Sequence, residues 1–375
     1  SYAIVPKKGK IQLFVDKYKI KNIEKKIKKI ANIHPIQNIS KFIYAMEKNC
    51  VVGFDESNIP FKFKILCKKN NIYTINFTDP CIYLKAEKNK IELQGARNAN
   101  LRDGLSITKF LYWLKNNKNI NKYDEIKAAK YLYKLRSSNH LFFSLSFETI
   151  SAIGKNAALP HYRVSSQTNQ KFYKNCIYLV DSGAQYKDGT TDITRTVVIG
   201  DPTKEHKDRF TRVLKGHIAV SKLSFKKNIK GSKIDYVARK SLKEIGCDYD
   251  HGTGHGIGSF LNVHEGPQRI SKISYNNEGE LRNGMILSNE PGFYNKNKYG
   301  IRIENLIIIK SKTNKFSQFE TISFAPIDRD LIDLNILSKL EIDWLNQYHA
   351  EVFKKLKNKL DTKERAWLRK VTKPL

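Results

Sequence analysis

The stretch Val180-Asp181-Ser182-Gly183-Ala184-Gln185-Tyr186-Lys187-Asp188-Gly189-Thr190-Thr191-Asp192-Ile193-Thr194-Arg195-Thr196 decides the reading of this chain. Two strand-like runs flank Lys187-Asp188-Gly189, and an Asp-Gly pair between such runs marks a hairpin turn. Asp181 and Asp192 then lie across the hairpin from each other. Symmetric pairing of the two would centre the loop slightly before the Asp-Gly, so a bulge is expected there. Asp188 fits as a turn residue. Asp181 and Asp192 each interrupt a strand-like run, where a carboxylate is seldom buried without a cation.

Downstream stand His251-Gly252-Thr253-Gly254-His255-Gly256-Ile257-Gly258 and Asn262-Val263-His264-Glu265-Gly266-Pro267. A single histidine is most often structural, but three within one glycine-rich frame favour a site, because the glycines let backbone pack closely around an imidazole and what it binds. A phosphate cradle is the competing reading. The spacing fails both the P-loop and the G-x-G-x-x-G register. Two carboxylates complete the set: Glu290 in Ser288-Asn289-Glu290-Pro291-Gly292, after a strand over Gly284 to Ser288, and Glu304 in a strand over Ile301 to Ile309. The two-residue period puts Arg302 on the face of Glu304, where it can orient carboxylates or form a plain interior salt bridge.

Four carboxylates (Asp181, Asp192, Glu290, Glu304) and one imidazole (His255) make an oxygen-rich donor set without thiolate, suited to two divalent metal ions, manganese foremost, with zinc or cobalt as alternatives. Five side chains fill two ions only if carboxylates bridge, and ions held about 3.5–4 Å apart are the machinery of metal-assisted hydrolysis.

The rest of the chain frames this set. Its 375 residues, 40% hydrophobic and 11% aromatic, can fill a core in each of two domains, as expected of a soluble globular protein. The five cysteines are odd in number, scattered and never C-x-x-C, which argues against a disulfide framework or a zinc ribbon and for a reducing, cytoplasmic compartment. Nothing approaches the roughly 20 apolar residues of a membrane span. The chain opens directly on the apolar run Tyr2-Ala3-Ile4-Val5 and reads as part of a longer protein. The 68 Lys and Arg against 36 Asp and Glu give a net charge of +32, but they are dispersed along the chain, so a solvated basic surface is expected and no specific nucleic-acid partner.

The expected fold class is α+β. Residues 1–95 read as a small α/β domain with a hairpin at Lys8-Gly9. Residues 96–335 read as two helix-helix-strand halves sharing one curved sheet: helices through Ile107 to Leu114 and Asp124 to Leu135, strands from Cys176 to Ile199, then helices from Phe210 to Leu223 and from an N-cap at Ser232 to a stop at Gly246. Residues 336–375 form a helical extension whose Trp344 and Trp367 either pack on their own domain or meet a partner.

These motifs, with Ala158-Leu159-Pro160-His161-Tyr162 before them and Asp343-Trp344-Leu345-Asn346 and Ala366-Trp367-Leu368 after, resemble the pita-bread metallopeptidases, and within them the aminopeptidase P branch of the cytosolic eukaryotic type. The resemblance implies a pita-bread catalytic domain behind a smaller domain, with the first domain of that branch missing. It implies that Asp181 binds one metal, His255 and Glu290 the other, and Asp192 and Glu304 bridge the pair. It further implies substrate-pocket histidines at His161, His251 and His264, with Arg302 in the same substrate-binding layer, His264 near the scissile carbonyl and His161 near the proline, and Glu290 as a proton shuttle. The implied substrates are peptides with proline second, and the implied state is a homodimer. The alternatives are prolidase or another hydrolase of this fold, and a pita-bread binding protein without catalysis.

Overall fold

The computed structural model describes residues 1–274 and 278–375. They form two compact units, Ser1–Ile82 and Tyr83–Leu375. In the first, Gly9 takes φ +96°, a conformation a side chain would strain, and turns Tyr2–Ile4 back antiparallel onto Ile11–Phe14. Ala31–His34 joins that pair in parallel, and Val51–Phe54 runs parallel to Tyr73–Asn76. Helices Ile39–Tyr44 and Phe61–Lys69 close Ile39, Ile43, Leu66 and Cys67 onto Phe14 and Ile72.

The second unit is led by the helix Lys90–Asn116. Asn89 accepts from the N–H groups of Ile91 and Glu92, and Glu92 reaches back to the N–H of Asn89, a reciprocal cap that starts the helix ahead of residue 95. Asp124 caps the next helix, Glu125–Ser137. Ile107, Phe110, Leu111 and Leu114 of the first and Ala128 and Leu132 of the second bury against Tyr178, Val180, Ile193 and Val197. Those last four belong to an antiparallel sheet of Ile150–Ile153, Cys176–Ser182 and Ile193–Ile199.

The second half repeats the pattern: helices Lys204–Ser221 and Asp235–Lys243, then a four-stranded sheet in the order Ser224–Lys226, Phe316–Thr321, Asn305–Ser311, Ile286–Asn289. Ser232 does not cap the second of these helices. Its hydroxyl and N–H bond the Glu278 carboxylate at 2.9 and 2.8 Å, and the helix starts three residues later. Gly246 does stop it, at φ +69°. The expected shared sheet is divided into separate sheets. The halves meet where the Glu304 N–H bonds the Thr194 carbonyl and where Thr196 Oγ1 both accepts from the Arg302 N–H at 3.0 Å and donates to the Arg302 carbonyl at 2.9 Å, so a side chain extends the backbone pairing.

The C-terminal helices Lys339–Leu356 and Thr362–Val371 pack on this unit. Leu345, Tyr348, Val352, Leu356, Leu360 and Leu368 share one core with Val198, Phe210, Leu214 and Ile303. Trp344 stacks on Tyr348 at 5.4 Å, and Trp367 packs against the same core, so both tryptophans lie half-buried within their own unit. No helix among the described residues is long and apolar enough to cross a membrane.

Candidate metal centre

A single register runs through the Asp181–Asp192 hairpin: Gly189 pairs with Tyr186, Thr190 with Gln185, Ile193 with Ser182 and Thr194 with Asp181. The expected bulge is therefore not in this hairpin, because a two-residue turn at Lys187-Asp188 keeps both arms in phase. Asp192 falls opposite Gly183, and Asp181 sits one diagonal step away on the same face. At Gly183 a Cβ would lie 1.9 Å from the Thr191 carbonyl oxygen, so only glycine allows the backbones to close where Asp192 turns inward.

His255 lies in the short strand Gly254–His255, paired with Arg269–Ile270. Its glycine frame serves close approach, as at Gly254, where a Cβ would stand 2.1 Å from the Ser288 carbonyl oxygen. Ser288 Oγ accepts from the His255 N–H at 3.0 Å and donates to Glu290 Oε1 at 3.0 Å, tying two candidate ligands together. His255 Nδ1 faces the Gly256 carbonyl at 3.1 Å. A carbonyl only accepts, so Nδ1 carries the proton and Nε2 presents a lone pair to Glu290 Oε1 at 3.3 Å and Asp192 Oδ2 at 3.6 Å.

The strand expected from Ile301 to Ile309 is broken at the residue that matters. Tyr299–Arg302 ends, Asn305–Ser311 begins, and Glu304 lies between them. The break occurs because the backbone changes partners: Ile303 N–H bonds Pro291 and Glu304 N–H bonds Thr194. Thr194 Oγ1 also donates to Glu304 Oε2 at 2.7 Å.

Arg302 is buried and pairs with Asp181 Oδ2 at 2.6 Å, with its Nε 3.9 Å from Glu290. Its Nη1 donates to Tyr294 Oη at 2.6 Å, and Tyr294 lies 2.8 Å from His251 Nε2. His251 Nδ1 faces the Gly252 carbonyl, so Nε2 is the acceptor and the relay runs from Arg302 through Tyr294 to a neutral His251. Burial and the Arg302 charge push His251 down to about 3.

Charge shows what the site lacks. Burial and then the repulsion of Glu304, Asp181 and Glu290 hold the Asp192 carboxyl well above its usual range, and Glu304 is raised by the same causes. Glu290 is pushed up to about 8 by burial, against the pull of Arg302. Burial and the neighbouring His264 drive His255 down to about 3, which keeps the imidazole neutral. Asp181 Oδ1, Asp192 Oδ1 and Glu304 Oε1 are buried without a hydrogen-bond partner. Crowded carboxylates with orphaned oxygens around a neutral imidazole lack positive charge, and divalent cations fit that deficit in number and kind of donor.

Asp192, His255 and Glu304 bring donor atoms within 4.8 Å of one another. Asp181 and Glu290 line the same cavity of about 580 Å³ but are drawn towards Arg302. His161 and His264 stand on its exposed wall, with the His264 ring edge-on to His255 at 4.1 Å. The sequence reading did not include Thr194, Ser288 and Tyr294. The first two follow from the two-residue period, each lying two residues from a ligand on a common face. Tyr294 carries no such signal.

Comparison with known proteins adds an independent line. The profile described as Metallopeptidase family M24 matches residues 94–311, the C-terminal region of peptidase M24 matches 315–375, and the Creatinase/Prolidase N-terminal domain matches 1–92. Xaa-Pro aminopeptidase 1 of Dictyostelium discoideum is 39% identical over all of this chain and 61% of its own length. Xaa-Pro aminopeptidase app-1 of Caenorhabditis elegans is 43% identical over 78% of this chain and 49% of its own. This chain thus spans about half the length of the curated relatives it matches. The crystal structure of the Caenorhabditis elegans X-prolyl aminopeptidase, described as a cytosolic enzyme with a di-nuclear active site, superposes with a TM-score of 0.90 at 38% identity, covering 98% of this chain and 62% of that one. A recombinant prolidase from Thermococcus sibiricus gives 0.69 at 25% identity, covering 87% of this chain and 85% of that one.

Proposed function

Because the chain belongs to metallopeptidase family M24 and has its pita-bread fold, we propose that it is a dinuclear-metal aminopeptidase that removes an N-terminal residue preceding proline. One observation carries the reading: Asp192, His255 and Glu304 converge beside Asp181 and Glu290, with carboxylate oxygens buried and unpartnered. In this reading Asp181 would hold one cation, His255 and Glu290 would hold the other, and Asp192 and Glu304 would be available to both.

Two divalent cations, when bound, supply Lewis acidity towards a peptide carbonyl and acidify a water molecule. The chain's own residues do the rest. Thr194 and Ser288 fix the carboxylates of Glu304 and Glu290 by hydrogen bonds. Arg302 holds Asp181 and, through Tyr294, sets the tautomer of His251. Glu290, whose carboxylate lines the cavity beside His255, is suited to take a proton and return it to the departing imino nitrogen. His264, edge-on to His255, is suited to donate to the carbonyl oxygen as charge develops there, and His161 to contact the proline ring.

Manganese is the proposed metal, a homodimer the proposed state and the cytoplasm the proposed compartment. Metal analysis of the purified chain, joined to hydrolysis of Arg-Pro-Pro against Gly-Pro with and without manganese, tests the reading. Metal-dependent release of arginine from the tripeptide is expected. Cleavage of the dipeptide alone would assign prolidase instead, and tight RNA binding at physiological salt without metal uptake or hydrolysis would overturn the enzyme reading altogether.

A further inference from the structure

Behind the metal ligands lies a second, fully buried polar chain. Arg195, 1% exposed, donates from Nη1 to the carbonyls of Thr194 and Glu304 at 2.8 and 2.7 Å and from Nε to Pro326 at 3.1 Å. Its Nη2 is shared among Asn305 Oδ1, the Ala325 carbonyl and Tyr348 Oη, at 2.9, 2.8 and 2.8 Å. A guanidinium solvated by carbonyls, an amide and a phenol does not have the usual arrangement of a buried cation, which pairs with a carboxylate.

The partners of Arg195 explain its place. Asn305 follows Glu304 directly, and its Nδ2 lies 3.2 Å from Nε2 of the buried His217. His217 Nδ1 in turn faces the carbonyl of Asn289 at 3.1 Å, while Asn289 Nδ2 donates back to the His217 carbonyl at 2.9 Å. Asn289 directly precedes Glu290. Glu304 and Glu290 line the cavity, while their chain neighbours Asn305 and Asn289 turn to this side. The far end of the chain is Tyr348 on the helix Lys339–Leu356, which donates to the Ala325 carbonyl at 2.9 Å and stacks on Trp344.

We infer that Tyr348 is a positioning residue of the metal centre, which it reaches through Arg195 to fix the strand break at Glu304 and, through Asn305 and His217, the end of the strand before Glu290. The inference rests on the metal-centre reading above. The C-terminal helix thereby acts on ligand geometry as well as on the core.

The test is calorimetric titration of Mn2+ into the chelator-stripped full chain, with thermal unfolding of the metal-free protein alongside. Tyr348→Phe keeps the ring and the stacking and loses only the hydroxyl. Arg195→Lys keeps the charge and loses the fork. Val352→Ala, one turn further along the same helix, truncates a core side chain that has no hydrogen-bonding group to offer this network. Tyr348→Phe is expected to weaken Mn2+ binding by about tenfold and Arg195→Lys by more, as for other groups that orient ligands. Val352→Ala is expected to lower the melting temperature while binding Mn2+ as the parent does. Tyr348→Phe binding Mn2+ within about twofold of the parent, or Val352→Ala weakening it as much as Tyr348→Phe does, would overturn the inference. A parent chain that takes up no divalent metal would overturn the metal-centre reading itself, a separate and visible failure.

Discussion

Thr194 holds Glu304 at two points: its carbonyl accepts the Glu304 N–H at 3.2 Å, and its hydroxyl donates to Glu304 Oε2 at 2.7 Å while accepting from Arg302 Nε at 3.3 Å. The backbone contact sets where the strand breaks, and the hydroxyl sets which way the carboxylate points. Thr194→Val removes only the second. Metal affinity measured by titration should fall by about 10–100-fold, and Thr194→Ser should restore most of it.

Asp192→Asn and Glu304→Gln remove charge from the tightest part of the cluster. Both should lose bound metal and more than about a hundredfold in turnover, beyond what an outer partner costs. His264→Ala should keep its metal and lose about a hundredfold in kcat, and His161→Ala should keep its metal with impaired turnover. Elemental analysis beside kinetics checks this. Equal metal loss in all four would contradict the division of roles.

The raised carboxyls give the metal-free protein a pH dependence whose sign is fixed. Glu290 titrates near 8 in the fold and near 4.5 when unfolded, and Asp192 and Glu304 are shifted the same way. Between those values the fold binds protons that the unfolded chain releases, so stability is lost as pH rises through the window. Melting temperature of the chelated protein should fall from about pH 5 to about pH 8, and the gain on adding Mn2+ should grow over that range. A gain that shrinks with rising pH would refute the argument.

Arg136 is fully buried, pairs with Asp103 at 2.7 and 2.9 Å, and donates to the Ser182 carbonyl at 3.0 Å, beside Asp181. Asp103→Ala leaves that charge uncompensated and should cost about 3–5 kcal/mol in denaturant unfolding. The double variant Asp103→Leu with Arg136→Met should recover much of the loss.

Among the candidate ligands, Asp181 and Asp192 stand out in the sequence because each puts a carboxylate in a strand-like run, His255 because of its glycine frame, and Glu290 and Glu304 as carboxylates at the end of one strand and the start of the next. The helices through Ile107 and Phe210 were legible from their period. The strand break at Glu304 was not, because Ile301 to Ile309 keeps its alternation while the partner strand changes, and pairing is not a local property. Ser232 satisfies the local rule for a cap, yet its hydroxyl bonds Glu278, which lies 46 residues away. Arg195 reads as one more basic residue in a lysine-rich chain until the carbonyls around it are seen.

Leu345, Val352, Leu356 and Leu368 are made well over a hundred residues after Ile177, Val198 and Phe210, yet they fill one core with them. During synthesis, those earlier residues wait with apolar surface uncovered until the helix Lys339–Leu356 has left the ribosome. Nascent chains stalled before that helix emerges should be cut by protease within the Tyr83–Leu375 unit, and chains stalled after it has emerged should resist.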